Sequence, residues 1–159
     1  KNKDTLLIDD FKFKCSVGKK GFTKKKIEGD LATPRGKYNL GNIYYRADRV
    51  QKPLSKLKSV PIKKNMGWCD DPRSNKYNKQ IKLPFKYSSE KLYRKDNMYD
   101  IFLVLNFNRH PIKKGKGSAI FIHIAKNKML PTKGCVAIKK KDLKNLIRLI
   151  KKRTTVKII

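Results

Sequence analysis

The sequence predicts an α+β domain: a β-rich mixed sheet or sandwich with one main helix packed on it. Three observations carry this reading. The apolar runs are short and strand-like, Gly and Pro punctuate the chain between them, and only one segment near the C-terminus shows helical periodicity. The chain has 159 residues, the length of one compact domain, so residues 1–159 are read as one unit. Apolar residues make up 38%, with seven Phe, seven Tyr and one Trp, which is enough to bury a core and argues against general disorder. No apolar run approaches the roughly 18–20 residues that cross a bilayer as a helix, so no transmembrane segment is expected. The first residue is Lys1, so the chain is read as processed or trimmed, with any export signal outside it.

The elements follow in order. Thr5–Asp9 and Phe11–Val17 are strand-like. Gly18, Gly21, Gly29 and Pro34 mark turns. Lys37–Arg46 is rich in Tyr and Ile and reads as a strand. Lys52–Tyr87, with four prolines and a polar Asp70–Asn78 stretch, reads as irregular; a loop that long in a small domain is usually functional. Asp100–Phe107 and Ser118–Ala125 are continuous apolar runs, the former expected to be a central strand, and Gly134–Ile138 is a shorter one. Lys140–Lys151 is the helix: Leu143, Leu146, Ile147 and Ile150 recur at i, i+3, i+4, i+7. Thr154–Ile159 is β-branched and reads as a terminal strand.

The net charge is +30, from 42 basic and 12 acidic residues, and predicts attraction to polyanions. Nucleic acid, anionic lipid and a carboxylate-rich wall polymer all qualify. The basic residues are 34 lysines against 8 arginines, in short runs without interleaved aromatics. Specific nucleic-acid readers favour the planar Arg fork or aromatic platforms, so no specific nucleic acid is expected as partner. A lysine-rich solvated surface explains the same composition.

There are three cysteines, Cys15, Cys69 and Cys135, and two histidines, His110 and His123. No paired ligand spacing occurs, so neither a structural zinc nor any other metal is expected. Cys15 and Cys69 are candidates for a disulfide in an oxidising compartment. His123 lies inside an apolar strand. Period two places it with Phe121 and Ala125, opposite Ile120, Ile122 and Ile124. The segment Lys126–Thr132 contains Pro131 and can turn the chain back, bringing Cys135 beside His123. That is the arrangement of a Cys–His nucleophile pair, in which imidazole takes the thiol proton and an imidazolium stabilises the thiolate. Gly134 lets the backbone approach a carbonyl closely, and the N–H groups of Gly134 and Cys135 are candidates for an oxyanion hole. A core histidine beside a buried cysteine has the same pattern. His110, before Pro111 in a loop, is read as a surface or cleft-edge residue.

Several blocks together carry a resemblance. They are Gly29-Asp30-Leu31-Ala32-Thr33-Pro34-Arg35-Gly36-Lys37-Tyr38, Tyr45–Arg49, Gly67-Trp68-Cys69-Asp70-Asp71-Pro72 with Tyr77-Asn78, Gly117–His123, and Thr132-Lys133-Gly134-Cys135. In this order they resemble the L,D-transpeptidase (YkuD-type) catalytic domain, in a compact branch, over nearly the whole chain. The resemblance implies that type of β-rich fold, with the helix following the catalytic Cys. It implies Cys135 as nucleophile, His123 as base, and the backbone carbonyl of Ile124 as the group orienting the imidazole. It places Thr132, Lys133 and Ser118 near substrate. Trp68, Asp70 and Asp71 are either ordinary turn residues or the lining of a cleft, with Trp68 on a stem peptide and an Asp on its amine. Arg46 and Arg49 are candidates for substrate carboxylates, or equally for pairing with Asp48 and other acidic side chains. Many family members have His where this chain has Lys133 and Arg or Asn where it has Ala137, which leaves donor and acceptor open.

The expected function is a cysteine peptidoglycan L,D-transpeptidase needing no cofactor. Its partners would be peptidoglycan stem peptides, and it would act as a monomer in the periplasm or cell wall. Two rivals stand beside it: a basic polyanion-binding module with a silent Cys135, and an L,D-carboxypeptidase in which water resolves the thioester.

Overall fold

The computed structural model describes residues 5–8, 11–126 and 129–158. Asp9 and Ile159, at the ends of two expected strands, lie outside the described residues, as do residues 127–128 of the segment before Cys135. In chain order the elements are β1 (Thr5–Ile8), β2 (Phe11–Ser16), β3 (Phe22–Thr23), β4 (Thr33–Pro34), β5 (Gly36–Tyr45), β6 (Ser59–Pro61), β7 (Met66–Cys69), β8 (Gln80–Lys82), β9 (Ser89–Lys91), β10 (Ile101–Leu105), β11 (Phe121–Ile124), β12 (Val136–Ile138), α1 (Lys140–Leu149) and β13 (Thr155–Ile158).

The main sheet runs β1-β2-β12-β11-β10-β5-β13, with β6 added alongside β5. It is mixed: β11–β12 and β5–β6 are parallel, and the other pairings are antiparallel. The sheet curls, bringing β1 close to β13. This is the β-rich mixed sheet with a single helix near the C-terminus that the apolar pattern predicts.

The alternation along each strand divides the sheet into two cores. On one face Ile43, Ile101, Leu103, Leu105, Ile122, Ile124, Val136 and Ile138 meet Leu143, Leu146, Ile147 and Ile150 from and just after α1. On the other face Tyr44, Phe102, Val104 and Phe121 meet Trp68, Leu92 and Tyr99. β10 is buried at all five positions because it is covered on both faces, which is why its sequence is uninterruptedly apolar. The helix has no side-chain cap at Lys139. Asp142 in its first turn and Arg148 in its last complement its dipole. A helix this short is held mainly by its packed face.

Residues 52–87 are more ordered than expected. They contain β6, β7 and β8, and β7 pairs with both β8 and β9 in a three-stranded ribbon. Strands of three or four residues between prolines carry too little alternation to read from sequence. The ribbon is anchored by Trp68, 2% exposed, whose ring packs edge-on against Phe121 at 5.2 Å.

Leu146 is fully buried at the centre of the helix–sheet contact. Leu146→Ala should cost about 2–5 kcal/mol of folding stability, the usual range for such a truncation. A urea titration should show a lower midpoint at unchanged slope; an unchanged midpoint would mean that α1 does not cover the sheet in this way.

Candidate active site

The segment carrying Cys135 is seated on the turn between β2 and β4. Thr132 donates its backbone N–H to Val17 O at 2.9 Å, and its carbonyl accepts from Lys19 N at 2.9 Å. Its hydroxyl donates to Cys135 O at 2.6 Å and accepts from Gly134 N at 3.1 Å. Thr33, fully buried, accepts from Gly18 N at 2.8 Å and reaches Cys135 O at 3.4 Å. Gly134 has φ +136°, and a Cβ there would lie 2.9 Å from Ala32 O. Only glycine fits both that backbone and that gap. Asp30 shapes the opposing turn. It accepts from Ile27 N at 3.0 Å and Ala32 N at 2.9 Å, and it pairs with the buried Lys26 ammonium.

Cys135 directly precedes β12, and β12 runs parallel to β11 with Val136 opposite Ile122. By alternation Cys135 shares its face with Phe121 and His123, on the side of the Trp68 core. Its Sγ donates to Ala119 O at 3.1 Å and accepts from Phe121 N at 3.4 Å. His123 is 4% exposed, and its Nδ1 lies 2.9 Å from Ile124 O. A carbonyl only accepts, so Nδ1 carries the proton, and the neutral ring has its lone pair on Nε2. The Tyr99 ring packs edge-on against His123 at 5.6 Å, and its hydroxyl donates to Glu90 Oε1 at 2.7 Å.

Both groups of the pair are held neutral. Burial pushes the Cys135 thiol up to about 12, and the nearby Glu90 carboxylate adds to the rise. Burial pushes His123 down to about 4, and the positive Arg94 adds to the fall, against the Ile124 carbonyl, which opposes it. Both shifts run against the thiolate–imidazolium pair expected from sequence, because desolvation penalises both charges. Glu90 is itself raised by burial, although Tyr99 and Arg94 favour its charged form.

Other sequence-derived site residues fall in different places. Thr132 spends its hydroxyl inside the loop, so it positions Cys135. Gly134 N–H is already donated to Thr132, so the expected pair of oxyanion donors is reduced to the Cys135 amide. Lys133 is exposed, two residues before Cys135. Trp68 is a core residue, donating Nε1–H to Asn78 Oδ1 at 3.0 Å. Asp71 is buried against Arg73, with a bidentate contact at 2.6 and 2.9 Å that holds its carboxyl well below the usual range. Asp70 Oδ1 and Ser118 Oγ are enclosed without a hydrogen-bond partner. Arg46 pairs with Asp48 at 2.7 Å and Arg49 with Asp100 at 3.0 Å. His110 is exposed. Cys15 sits in the helix-side core and Cys69 on β7, and no disulfide joins the described cysteines.

Sequence reasoning assigned no role to Thr33, Asn78, Glu90, Tyr99 or the Ala119 carbonyl. Thr33 and Asn78 stand inside blocks that had been singled out, which was the available signal. Glu90 and Tyr99 carried none. Among the described residues no three His, Cys, Asp or Glu side chains cluster as metal ligands. A cavity of about 300 Å³, lined by Leu40, Tyr44, Leu57, Trp68, Val104 and Arg109 among others, includes neither Cys135 nor His123.

A thiol and an imidazole thus share one sheet face, with the imidazole tautomer set by a backbone carbonyl. The chain belongs to the L,D-transpeptidase catalytic domain family: the YkuD model matches residues 3–158. Searches of curated proteins and of solved structures return no match.

The low His123 value sets a pH dependence. The unfolded ring binds a proton near its ordinary value of about 6.5, whereas the folded ring resists it down to about 4. Between these limits the unfolded state holds more protons, so stability falls as pH falls. Urea titrations of wild type and His123→Gln should therefore show wild type losing ground to the variant from about pH 6.5 towards 4. A difference that stays flat over that range would contradict a neutral buried ring.

Proposed function

We propose that the protein is a cysteine peptidoglycan L,D-transpeptidase that cross-links stem peptides in the periplasm or cell wall. The observation that supports this best is the hydrogen bond from His123 Nδ1 to Ile124 O, on the sheet face that also carries Cys135. It leaves Nε2 as the base, in a chain of this family.

The reaction follows from those groups. Cys135 Sγ attacks the carbonyl of a peptide bond running from an L-centre to a D-residue in a donor stem. As the S–C bond forms, the thiol proton passes to His123 Nε2 and negative charge gathers on the carbonyl oxygen. The Cys135 amide is the donor proposed for that oxygen. The C–N bond then breaks, the leaving amine takes the proton from the imidazolium, and a thioester remains. An amine of a second stem attacks the thioester and gives its proton to Nε2. The sulfur departs and is reprotonated, leaving a new peptide bond. Exposed Lys133 beside the nucleophile is proposed to meet substrate carboxylate, and the +30 charge suits an anionic wall.

Intact-mass analysis after incubation with muropeptides tests this reading. Wild type should carry one acyl adduct, mapped to Cys135, and should release cross-linked product. Cys135→Ala should carry none while keeping its fold, and Cys15→Ala and Cys69→Ala should still acylate. His123→Ala should acylate roughly 10²–10⁴ times more slowly, the range a positioned general base supplies. A wild type that never acylates, or a Cys135→Ala protein that still turns over, would overturn the proposal.

A further inference from the structure

The thiol of Cys135 is held by a carbonyl that is itself held by an unusual piece of backbone. Ala119 has φ +49°, a left-handed conformation that L residues other than Gly, Asn and Asp rarely adopt. Such a conformation persists only where the surroundings enforce it. Here the enforcing group is Asn78, 2% exposed and itself at φ +54°. Its Oδ1 accepts from Ala119 N at 3.2 Å and from Trp68 Nε1 at 3.0 Å. Its Nδ2 donates to Phe107 O at 3.1 Å and to Asn108 O at 2.7 Å. Both lone pairs and both protons of the amide are used, so its orientation is fixed from both sides. An aspartate lacks the donors and an aliphatic residue lacks all four partners. Ala119 O then accepts the Cys135 thiol at 3.1 Å.

We propose that Asn78 is a positioning residue for the nucleophile: by locking the Ala119 peptide it aims the Ala119 carbonyl at Cys135 and keeps the resting thiol protonated and oriented. The line runs Trp68, Asn78, Ala119, Cys135, and it joins the buried ribbon to the reacting sulfur. It explains why a tryptophan and an asparagine ten residues apart are hydrogen-bonded in the core. A carbonyl oxygen facing sulfur favours S–H over S⁻, while Phe121 N–H favours the reverse. Removing the lock should tip the balance towards thiolate. It should also spoil the aim that acyl transfer requires.

This inference builds on the proposed function, but its test does not need the peptidoglycan reaction. The probe is iodoacetamide, with labelling of each cysteine followed by peptide mass mapping across a pH series. Asn78→Ala should label at Cys135 about three- to tenfold faster than wild type at neutral pH, the equivalent of one ordinary hydrogen bond. Its rise with pH should move to lower pH. The other titratable groups whose charge acts on the sulfur are Glu90 from β9, Tyr99 before β10 and Lys26 before β4, with His123 from β11 on the same sheet face, and all are unchanged in the variant. Buried Cys15 and Cys69 are internal controls, because a merely loosened fold would label them too. Trp68→Phe keeps an aromatic ring in the core and removes the indole N–H along with part of the ring system, so it should shift Cys135 labelling in the same direction by less. If Asn78→Ala does not fold, this second variant decides. An unchanged Cys135 profile in a folded variant, or labelling that rises equally at all three cysteines, would overturn the proposal. Should muropeptides fail to acylate Cys135 while the labelling shifts as stated, the proposed function would fall and the positioning role would stand.

Discussion

The site depends on one contact: the seating of residues 132–135 on the turn that ends at Thr33. Two threonine hydroxyls converge on the Cys135 carbonyl, and Gly134 lies so close to Ala32 that no side chain fits between them. Neither hydroxyl touches the sulfur. They hold the peptide just before β12, and the parallel register with β11 then puts Cys135 on the face of His123. Asp30 shapes the turn from beneath, and its own carboxyl is held below the usual range by the Ile27 and Ala32 amides and by Lys26, against the cost of burial. The Gly29–Tyr38 block therefore supports Cys135 without containing it.

The second theme is electrostatic. The chain carries +30, yet burial favours the neutral form of both Cys135 and His123. Charge on the surface and neutrality inside do separate work. Exposed lysines act over about a Debye length of 8–10 Å at physiological salt. Buried His123 and half-buried Cys135 are screened less and are influenced by nearby groups, Arg94 and the Ile124 carbonyl for the ring and Glu90 for the thiol. A neutral thiol is a weaker nucleophile than a thiolate, so the burden shifts to aim: the Ala119 carbonyl and Phe121 amide for sulfur, the Ile124 carbonyl for the imidazole.

Much of this was legible in the sequence, for reasons that differ from element to element. β10 and β11 could be read because burial on both faces leaves unbroken apolar runs, and α1 because Leu143, Leu146 and Ile147 repeat at helical spacing. The β7–β9 ribbon could not, since its strands are too short to show a period and its stability comes from Trp68 in a distant core. Cys135 and His123 stood out because thiol, glycine and a polar ring interrupt apolar strands. Thr33 and Asn78 stand inside blocks that carry the resemblance, but nothing along the chain marks them individually. Their roles arise from hydrogen bonds that span large sequence separations, 102 residues from Thr33 to Cys135 and 41 from Asn78 to Ala119, which no local pattern records.

The central claim is that His123 is neutral, with its proton on Nδ1 and its lone pair on Nε2, on the sheet face that carries a protonated Cys135. Nitrogen-15 NMR of the labelled imidazole reads that state directly. The account predicts a protonated Nδ1 and a bare Nε2 throughout the neutral range, with charging only as pH falls towards about 4. An imidazolium at neutral pH, or a proton on Nε2, would contradict it.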